Sequence, residues 1–150
     1  MIFLPGLAKA ILAGKKVETR RLVKPGDNLL WMKIAEHPHR GNPAHVHIVL
    51  GGDGRIRWTE GKTYAVQPGR GKKAIGYIRV EEIRQERLQQ ITLRGARREG
   101  MSGRKAFTAL WNGIHESPHK WASNPQVWVL VFRQVLAKSP GPVSPAERGR

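Results

Sequence analysis

The sequence has no cysteine and few acidic residues. Asp and Glu total 11 of the 150 residues, against 27 Lys and Arg. Without cysteine, the chain has no disulfide, no thiolate nucleophile and no cysteine-based zinc site. No apolar run approaches the roughly 20 residues of a membrane span, and the first residues do not follow the pattern of a signal peptide. These absences predict a cytoplasmic protein that does not contact a membrane.

The excess of basic residues gives a formal net charge of +16. A compact fold tolerates such an excess best beside a polyanion, so RNA, a nucleotide or DNA is the leading expected partner. The competing interpretation is that the charge serves solubility, and the protein is then a protein-interaction adaptor. The length predicts one domain with a modest core.

Hydrophobic periodicity and turn signals indicate several short strands with two or three flanking helices. We interpret the stretch 51–54 as a hairpin turn, whereas residues 28–43 show no clean period. The tail 137–150 is rich in Pro, Ser and Gly and is expected to be disordered. The predicted fold class is α+β, a small and partly closed β-barrel. The predicted helices are 5–13, 93–100 and 104–114, and the predicted strands are 17–22, 45–50, 55–58, 63–67, 74–80 and 127–132.

The stretch Gly14-Lys-Lys-Val-Glu-Thr-Arg-Arg21 lies where the first helix gives way to a strand. It brings together Lys15, Lys16, Arg20 and Arg21 with the hydroxyl of Thr19. Clustered cations beside a hydroxyl suit an anionic or nucleotide-like ligand.

A glycine-containing basic loop, residues 68–73, follows one of the predicted strands. Its glycines allow close backbone approach, and its cations Arg70, Lys72 and Lys73 suit phosphates. Together with Arg97 and Arg98 they would form a basic rim around a pocket. The alternative is an ordinary solvated hairpin loop.

Histidines and tryptophans supply weaker candidates. The pattern His115-Glu-Ser-Pro-His119 matches a zinc-protease motif, but Pro118 breaks the helix that this motif needs, so we reject it. A second group of histidines could hold a metal or contact RNA, yet nothing else in the sequence supports their spacing as that of metal ligands. We predict neither a metal nor a cofactor. Trp111 and Trp128 are expected in the core, and Trp121 is expected to hold the last helix against the last strand. The second group of histidines is His37, His39, His45 and His47; Trp31 and Trp58 are candidates either for stacking a base or for a small core of their own.

Four segments together resemble the ASCH family, a branch of the PUA-like β-barrels. They are residues 11–20 (ILAGKKVETR), 61–72 (GKTYAVQPGRGK), 96–100 (ARREG) followed by Phe107 and Trp111, and 121–129 (WASNPQVWV). The likeness spans about residues 5–135. It implies a PUA-like domain over 1–136, a hairpin-bearing inserted segment at 27–59, and a role in handling RNA or nucleotides.

Small bacterial members of that family include amidohydrolases that deacetylate N4-acetylcytidine, and the resemblance matches their catalytic residues to Lys16, Thr19 and Glu99. Like charges nearby, from Lys15, Arg20 and Arg21, should lower the pKa of Lys16. Lys16 could then activate the Thr19 hydroxyl, with Glu99 handling a proton on the leaving amine. The alternative is that Lys16 and Glu99 form a buried ion pair, with Thr19 simply a strand residue.

The leading prediction is therefore an RNA- or nucleotide-binding domain with a basic cleft, in which Tyr64 stacks on a base and Gln67 reads a base edge. The alternatives are the amidohydrolase and the adaptor. The cleft residues expected from the sequence are Lys16, Thr19, Arg20, Arg21, Tyr64, Gln67, Arg70, Lys72 and Glu99.

Overall fold

Seven strands and three α-helices form the α+β fold in residues 1–34 and 44–136, which are the residues that the structure, a computed structural model, describes. Two short 3-10 helices, Leu88–Gln90 and Trp121–Ser123, complete the described elements. The predicted disordered tail 137–150 lies outside the described residues. The helices are α1 Pro5–Leu12, α2 Leu93–Arg98 and α3 Arg104–Ile114; the strands are β1 Glu18–Leu22, β2 Asn28–Ile34, β3 Ala44–Leu50, β4 Ile56–Thr59, β5 Thr63–Val66, β6 Gly76–Arg87 and β7 Gln126–Val135.

The larger sheet has four antiparallel strands in the order β1-β7-β6-β5. One of its two central strands, β7, is the buried strand that the run of β-branched residues predicts, with residues 127–130 no more than 1% exposed. The strand predicted to end at Val80 continues to Arg87 as part of β6. Its second half has one apolar residue, Ile83, among charged residues that form ion pairs, so it lacks the apolar pattern by which strands are recognised.

The smaller sheet has the order β2-β3-β4, and its β3–β4 hairpin turns at residues 51–54 as predicted. The main chain ties this sheet to the larger one: the N–H of Glu60 donates to His47, and the N–H of Gly61 donates to Val80. Asp27, before β2, accepts a hydrogen bond from the Trp128 indole at 2.9 Å. The described residues of the segment 27–59, expected as an insertion, therefore pack directly on the main sheet.

Alternate residues of β7 face opposite layers, as strand geometry requires. Val127 and Val129 pack against α2 and α3, where Phe107 and Trp111 are buried on the predicted face of α3. Trp128 and Leu130 face the smaller sheet and pack with the buried Trp58. The sheet is thus the middle layer between helices and a second sheet. The predicted core positions of Trp111 and Trp128 are confirmed.

The first helix begins at Pro5, whose fixed φ suits the first helical position, and ends before Gly14, which has a φ of +74°. Its buried residues Ala8 and Ile11 pack against Phe132 of β7 and its neighbours on β5 and β6. This helix and the following turn place Lys16 immediately before the edge strand β1.

The N-terminal residues approach both edges of the larger sheet. Ile2 forms a parallel bridge with Gln67, just after β5, and the Arg21 side chain on β1 donates to the Ile2 carbonyl at 2.7 Å. The two sheets are not closed into one barrel in the described part of the chain, so the predicted small β-barrel stays a prediction. Across residues 1–34 and 44–136, every helix is too short or too polar to cross a membrane.

Candidate ligand-binding pocket

A pocket of about 450 Å³ opens beside β1, the outer strand of the larger sheet. The N-terminal residues, β1, the loop after β5, the end of α2 and one face of α3 enclose it. Because β1 is an edge strand, side chains from both of its faces reach this space. The polar lining residues are Lys16, Thr19, Arg20, Arg21, Arg70, Glu99 and His115, and the main apolar ones are Phe3, Leu4, Leu7, Leu22, Phe107, Leu110, Trp111 and Ile114.

Lys16 and Glu99 form a buried ion pair on the floor of the pocket. Their Nζ and Oε1 atoms are 2.6 Å apart, and the side chains are 1% and 4% exposed. The Lys16 ammonium also donates to the main-chain carbonyls of Glu18, at 2.8 Å, and of Glu99, at 3.3 Å. Glu99 caps the C-terminus of α2, so the pair joins that helix to the start of β1. The ion pair given above as the alternative is present, and it lies inside the pocket.

Arg20 extends this pair into a larger ionic network. Its guanidinium contacts Glu18 at 2.8 Å, Glu86 at 3.0 Å and Glu99 at 3.1 Å, and Arg98 contacts the other oxygen of Glu18 at 3.2 Å. The network therefore holds the cations Lys16, Arg20 and Arg98 against three carboxylates. Arg84, nearer the surface, contacts Glu86 of the network and also Glu82. With this pair included, the numbers of positive and negative side chains remain equal.

Burial and neighbouring charges shift the pKa of both central cations. Burial lowers the pKa of Lys16, Glu99 opposes that shift, and Arg21 and Arg20 add to it. The expected direction is confirmed, but the main cause is desolvation, and Lys15 is exposed. For Arg20, burial also favours the neutral form, but the carboxylates of Glu99 and Glu18 outweigh it and raise the pKa. Arg20 is thus a fixed charge, and Lys16 is the cation that can lose its proton more easily than usual.

Thr19 and Arg21 follow Lys16 along β1 and meet the same pocket. Among the described residues, the Thr19 hydroxyl has no hydrogen-bond partner, although the side chain is largely buried. Arg21 stacks over the Phe3 ring at 4.9 Å and donates to the Ile2 carbonyl. Within the described residues no carboxylate lies at ion-pair distance from Arg21 or from the exposed Arg70. The mouth of the pocket is therefore positive, and its floor is neutral.

One face of α3 forms the aromatic wall, and this wall includes His115, which the sequence suggested only as part of the rejected zinc-protease pattern. His115 stacks on Trp111 with ring centroids 3.8 Å apart, and its Nδ1 lies 3.2 Å from the Trp111 carbonyl. A carbonyl can only accept, so Nδ1 carries the proton, and burial lowers the pKa of the ring. The neutral ring then has Nε2 free as an acceptor. The sequence did contain an indication of this role, because His115 lies one helical turn beyond Trp111, on the predicted apolar face.

The rejection of the zinc-protease pattern is consistent with the end of α3 at Ile114, which leaves His119 off the helix. Among the described residues no three His, Cys, Asp or Glu side chains are placed to hold a metal ion. Two of the four clustered histidines, His37 and His39, lie outside the described residues. Trp58 is only 8% exposed, so it belongs to the core and cannot stack a base.

Several residues expected in the cleft do not line this pocket. The Tyr64 hydroxyl accepts the N–H of Thr59 at 2.8 Å and its ring packs in the core, so it cannot stack on a ligand here. The side-chain amide of Gln67 donates to the Lys72 carbonyl at 3.2 Å and does not face a base. Five of the cations expected at the site also lie outside the pocket lining. Four of them are exposed and the fifth, Arg98, contacts Glu18; the exposed ones are Lys15, Lys72, Lys73 and Arg97.

Comparison of the chain with protein-family models, with curated proteins and with solved structures gave no match. The ASCH resemblance therefore stays a prediction based on the four segments that carry it.

Proposed function

We propose that the protein is an ASCH-like, PUA-like domain that binds RNA or a nucleotide and takes one nucleotide into this pocket. The observation that carries the proposal is the pairing of a neutral floor with two cations at the mouth, Arg21 and Arg70, that have no carboxylate partner in the described chain. An anionic group is the partner that such cations lack, and a phosphate offers Arg a bidentate contact.

The size and the wall of the pocket support the same class of ligand. Its volume, about 450 Å³, lies in the range of roughly 300–1,000 Å³ that is typical of small-molecule sites. Phe107, Trp111 and His115 provide flat apolar surface, and the His115 Nε2 can accept a hydrogen bond from an N–H group. A nucleotide combines an anionic phosphate with a flat base that carries such donors.

The direct test is a calorimetric titration with nucleoside monophosphates and with the matching nucleosides. We expect the monophosphates to bind more tightly, and Arg70→Ala to weaken only their binding, by about tenfold, since one charge-assisted hydrogen bond is lost. Arg55→Ala is the matched control because Arg55 is an exposed arginine that does not line the pocket. Equal affinity for nucleosides and monophosphates, or equal losses in the two variants, would refute a phosphate contact at the mouth.

Binding of longer RNA separates this proposal from the adaptor alternative. The logarithm of the affinity should fall linearly with the logarithm of salt concentration, with a slope of roughly −0.7 per phosphate contact for single strands. Absence of RNA and nucleotide binding even at low salt would favour the adaptor.

A second candidate is an amidohydrolase, because Lys16, Thr19 and Glu99 all line one pocket. The 2.6 Å contact lets the Lys16 ammonium pass a proton to Glu99. Neutral Lys16 would then take the Thr19 hydroxyl proton as the oxygen attacks an acyl carbon. Glu99 would donate that proton to the leaving amine of the substrate as the C–N bond breaks. Water would then hydrolyse the acyl-threonine.

The test of this candidate is turnover of N4-acetylcytidine by the wild type and by Thr19→Val, which keeps the β-branched shape. We expect a loss of at least about 100-fold in the variant if Thr19 is the nucleophile. Thr108→Val on α3 is the control, because Thr108 does not line the pocket. No turnover by the wild type would remove the hydrolase and leave the binding proposal intact.

A further inference from the structure

Trp31 is the most exposed tryptophan of the described residues and lies outside the pocket. Its side chain is on the outer strand β2 of the smaller sheet, and the residue is 59% exposed. By contrast, Trp58, Trp111 and Trp128 are no more than 8% exposed. Tryptophan is enriched at interfaces because its ring combines an apolar face with a polar N–H, so an exposed tryptophan is a candidate contact for a partner.

The ring is held in place by two histidines of β3. Trp31 is paired with His47 in the strand register, with ring centroids 4.5 Å apart. His45 stacks on Trp31 almost in parallel, at 5.6 Å and an interplanar angle of 16°. We call these three residues the Trp31 platform. A fixed ring loses less side-chain freedom when a ligand stacks on it than a mobile ring does.

A buried carboxylate anchors the platform to the larger sheet. Glu60, 4% exposed, accepts the main-chain N–H of His47 at 2.7 Å and that of Ile83 on β6 at 2.9 Å. Its second oxygen also lies 3.1 Å from the His47 Nδ1, which donates to it. The platform is thus built outward from the core through Ile83, Glu60 and His47.

The charge beside the platform is positive. Lys33 lies two residues after Trp31 on β2, hence on the same face, and is paired with His45 in the register. Lys33 is exposed and has no ion-pair partner in the described part of the chain. Glu60, a carboxylate that contacts the platform, is buried and already accepts three N–H groups.

We propose that the Trp31 platform and Lys33 form a second site, where an unpaired base of single-stranded nucleic acid stacks on Trp31 and its phosphate meets Lys33. An aromatic ring beside a cation is the arrangement that binds single strands with little regard to sequence, since every base has a π-face. A protein partner would instead call for a broader apolar patch. The proposal does not depend on the pocket, because no platform residue lines it.

The test measures binding of a labelled oligouridine at low salt by fluorescence anisotropy. We expect Trp31→Ala to weaken binding about tenfold and Trp31→Phe to retain most of the affinity, because stacking needs an aromatic face. Met32→Ala is the matched control: Met32 is the next residue of the same strand, points to the opposite face and is 43% exposed. Thermal unfolding of each variant verifies that the fold is retained.

Titration of a nucleoside monophosphate separates the two sites. Trp31→Ala should leave that titration unchanged, and Arg70→Ala should still show the part of the oligouridine-induced tryptophan quenching that Trp31→Ala abolishes. The proposal is overturned if Trp31→Ala binds oligouridine as well as the wild type, if Met32→Ala loses as much, or if the wild type binds no oligouridine. The last result would leave the platform as a contact for another protein.

Discussion

Glu99 and Glu60 are both buried carboxylates, but they serve different parts of the molecule. Glu99 contacts the side chains of Lys16 and Arg20 and faces an open pocket. Glu60 accepts two main-chain N–H groups and one histidine where the two sheets meet, away from that pocket. Burial of a charge therefore does not by itself identify a functional site. The informative difference is that the partners of Glu99 are ionisable side chains open to a ligand-sized space.

The first way to test this comparison is Glu99→Gln, which should have the largest effect on stability. Without the carboxylate, Lys16 and Arg20 keep charges that the network no longer balances. Breaking a buried ion pair by removing one partner costs about 3–5 kcal/mol. We expect a loss of that size in the free energy of unfolding, measured by urea denaturation.

A double variant, Lys16→Met with Glu99→Leu, is the control for that experiment. Replacing both members of a buried pair with apolar residues can be neutral or stabilising. We expect the double variant to recover most of the stability and to lose any catalytic activity. A double variant as unstable as Glu99→Gln would mean that the charge imbalance is not the cause.

The second test, Glu60→Gln, should destabilise the protein by a smaller amount. The amide oxygen can still accept one N–H, but the amide nitrogen would face another donor. One buried donor left unsatisfied costs about 1–3 kcal/mol. We also expect nucleotide binding in the pocket to stay unchanged. An affinity loss as large as that of Arg70→Ala would contradict the separation of the two regions.

The smallest effect is expected at Asp27, which contacts Arg57 of the smaller sheet and Trp128 of the larger sheet and so joins the two. Burial acts to raise the pKa of Asp27, but hydrogen bonds from Trp128 and the Lys24 N–H, and the charge of Arg57, lower it overall. A carboxyl with a lowered folded-state pKa contributes stability above its unfolded pKa, and this contribution is lost as the pH falls through the folded value.

Asp27→Asn should therefore be less stable by about 1 kcal/mol near neutral pH and should lose less stability on acidification. Urea unfolding midpoints at several pH values below neutrality provide the measurement. Parallel pH profiles for the variant and the wild type would show that Asp27 does not contribute to the acid dependence.

The parts of the fold with a strong period could be predicted from the sequence. The apolar face of α3 and the buried strand β7 follow directly from side-chain spacing, and α3 supplies the wall of the pocket. The family resemblance, and not the periodicity, predicted that Glu99 lies beside Lys16, although 83 residues separate them in the chain. Spacing along the chain carries no information on which helix end meets which strand.

The remaining features depend on contacts that a one-dimensional pattern does not record. The second half of β6 is polar because Glu86 belongs to the ionic network, so its strand character is hidden. Gln67 and Tyr64 were expected in the cleft but do not line the pocket. Ile2 forms a bridge with Gln67, and the Thr59 N–H donates to the Tyr64 hydroxyl, and neither contact can be read from sequence spacing. Trp31 and Trp58 lie in one predicted segment, yet only the packing of the two sheets decides which is buried.

The position of the ionic network on β1 also bears on self-association. An edge strand offers unpaired main-chain groups to any second strand, and charged side chains on such a strand discourage that pairing. Glu18 and Arg20 occupy the outer strand β1, and Lys33 occupies the outer strand β2 of the other sheet. The same charges that shape the ligand pocket therefore also disfavour strand addition to β1 by a second copy of the chain.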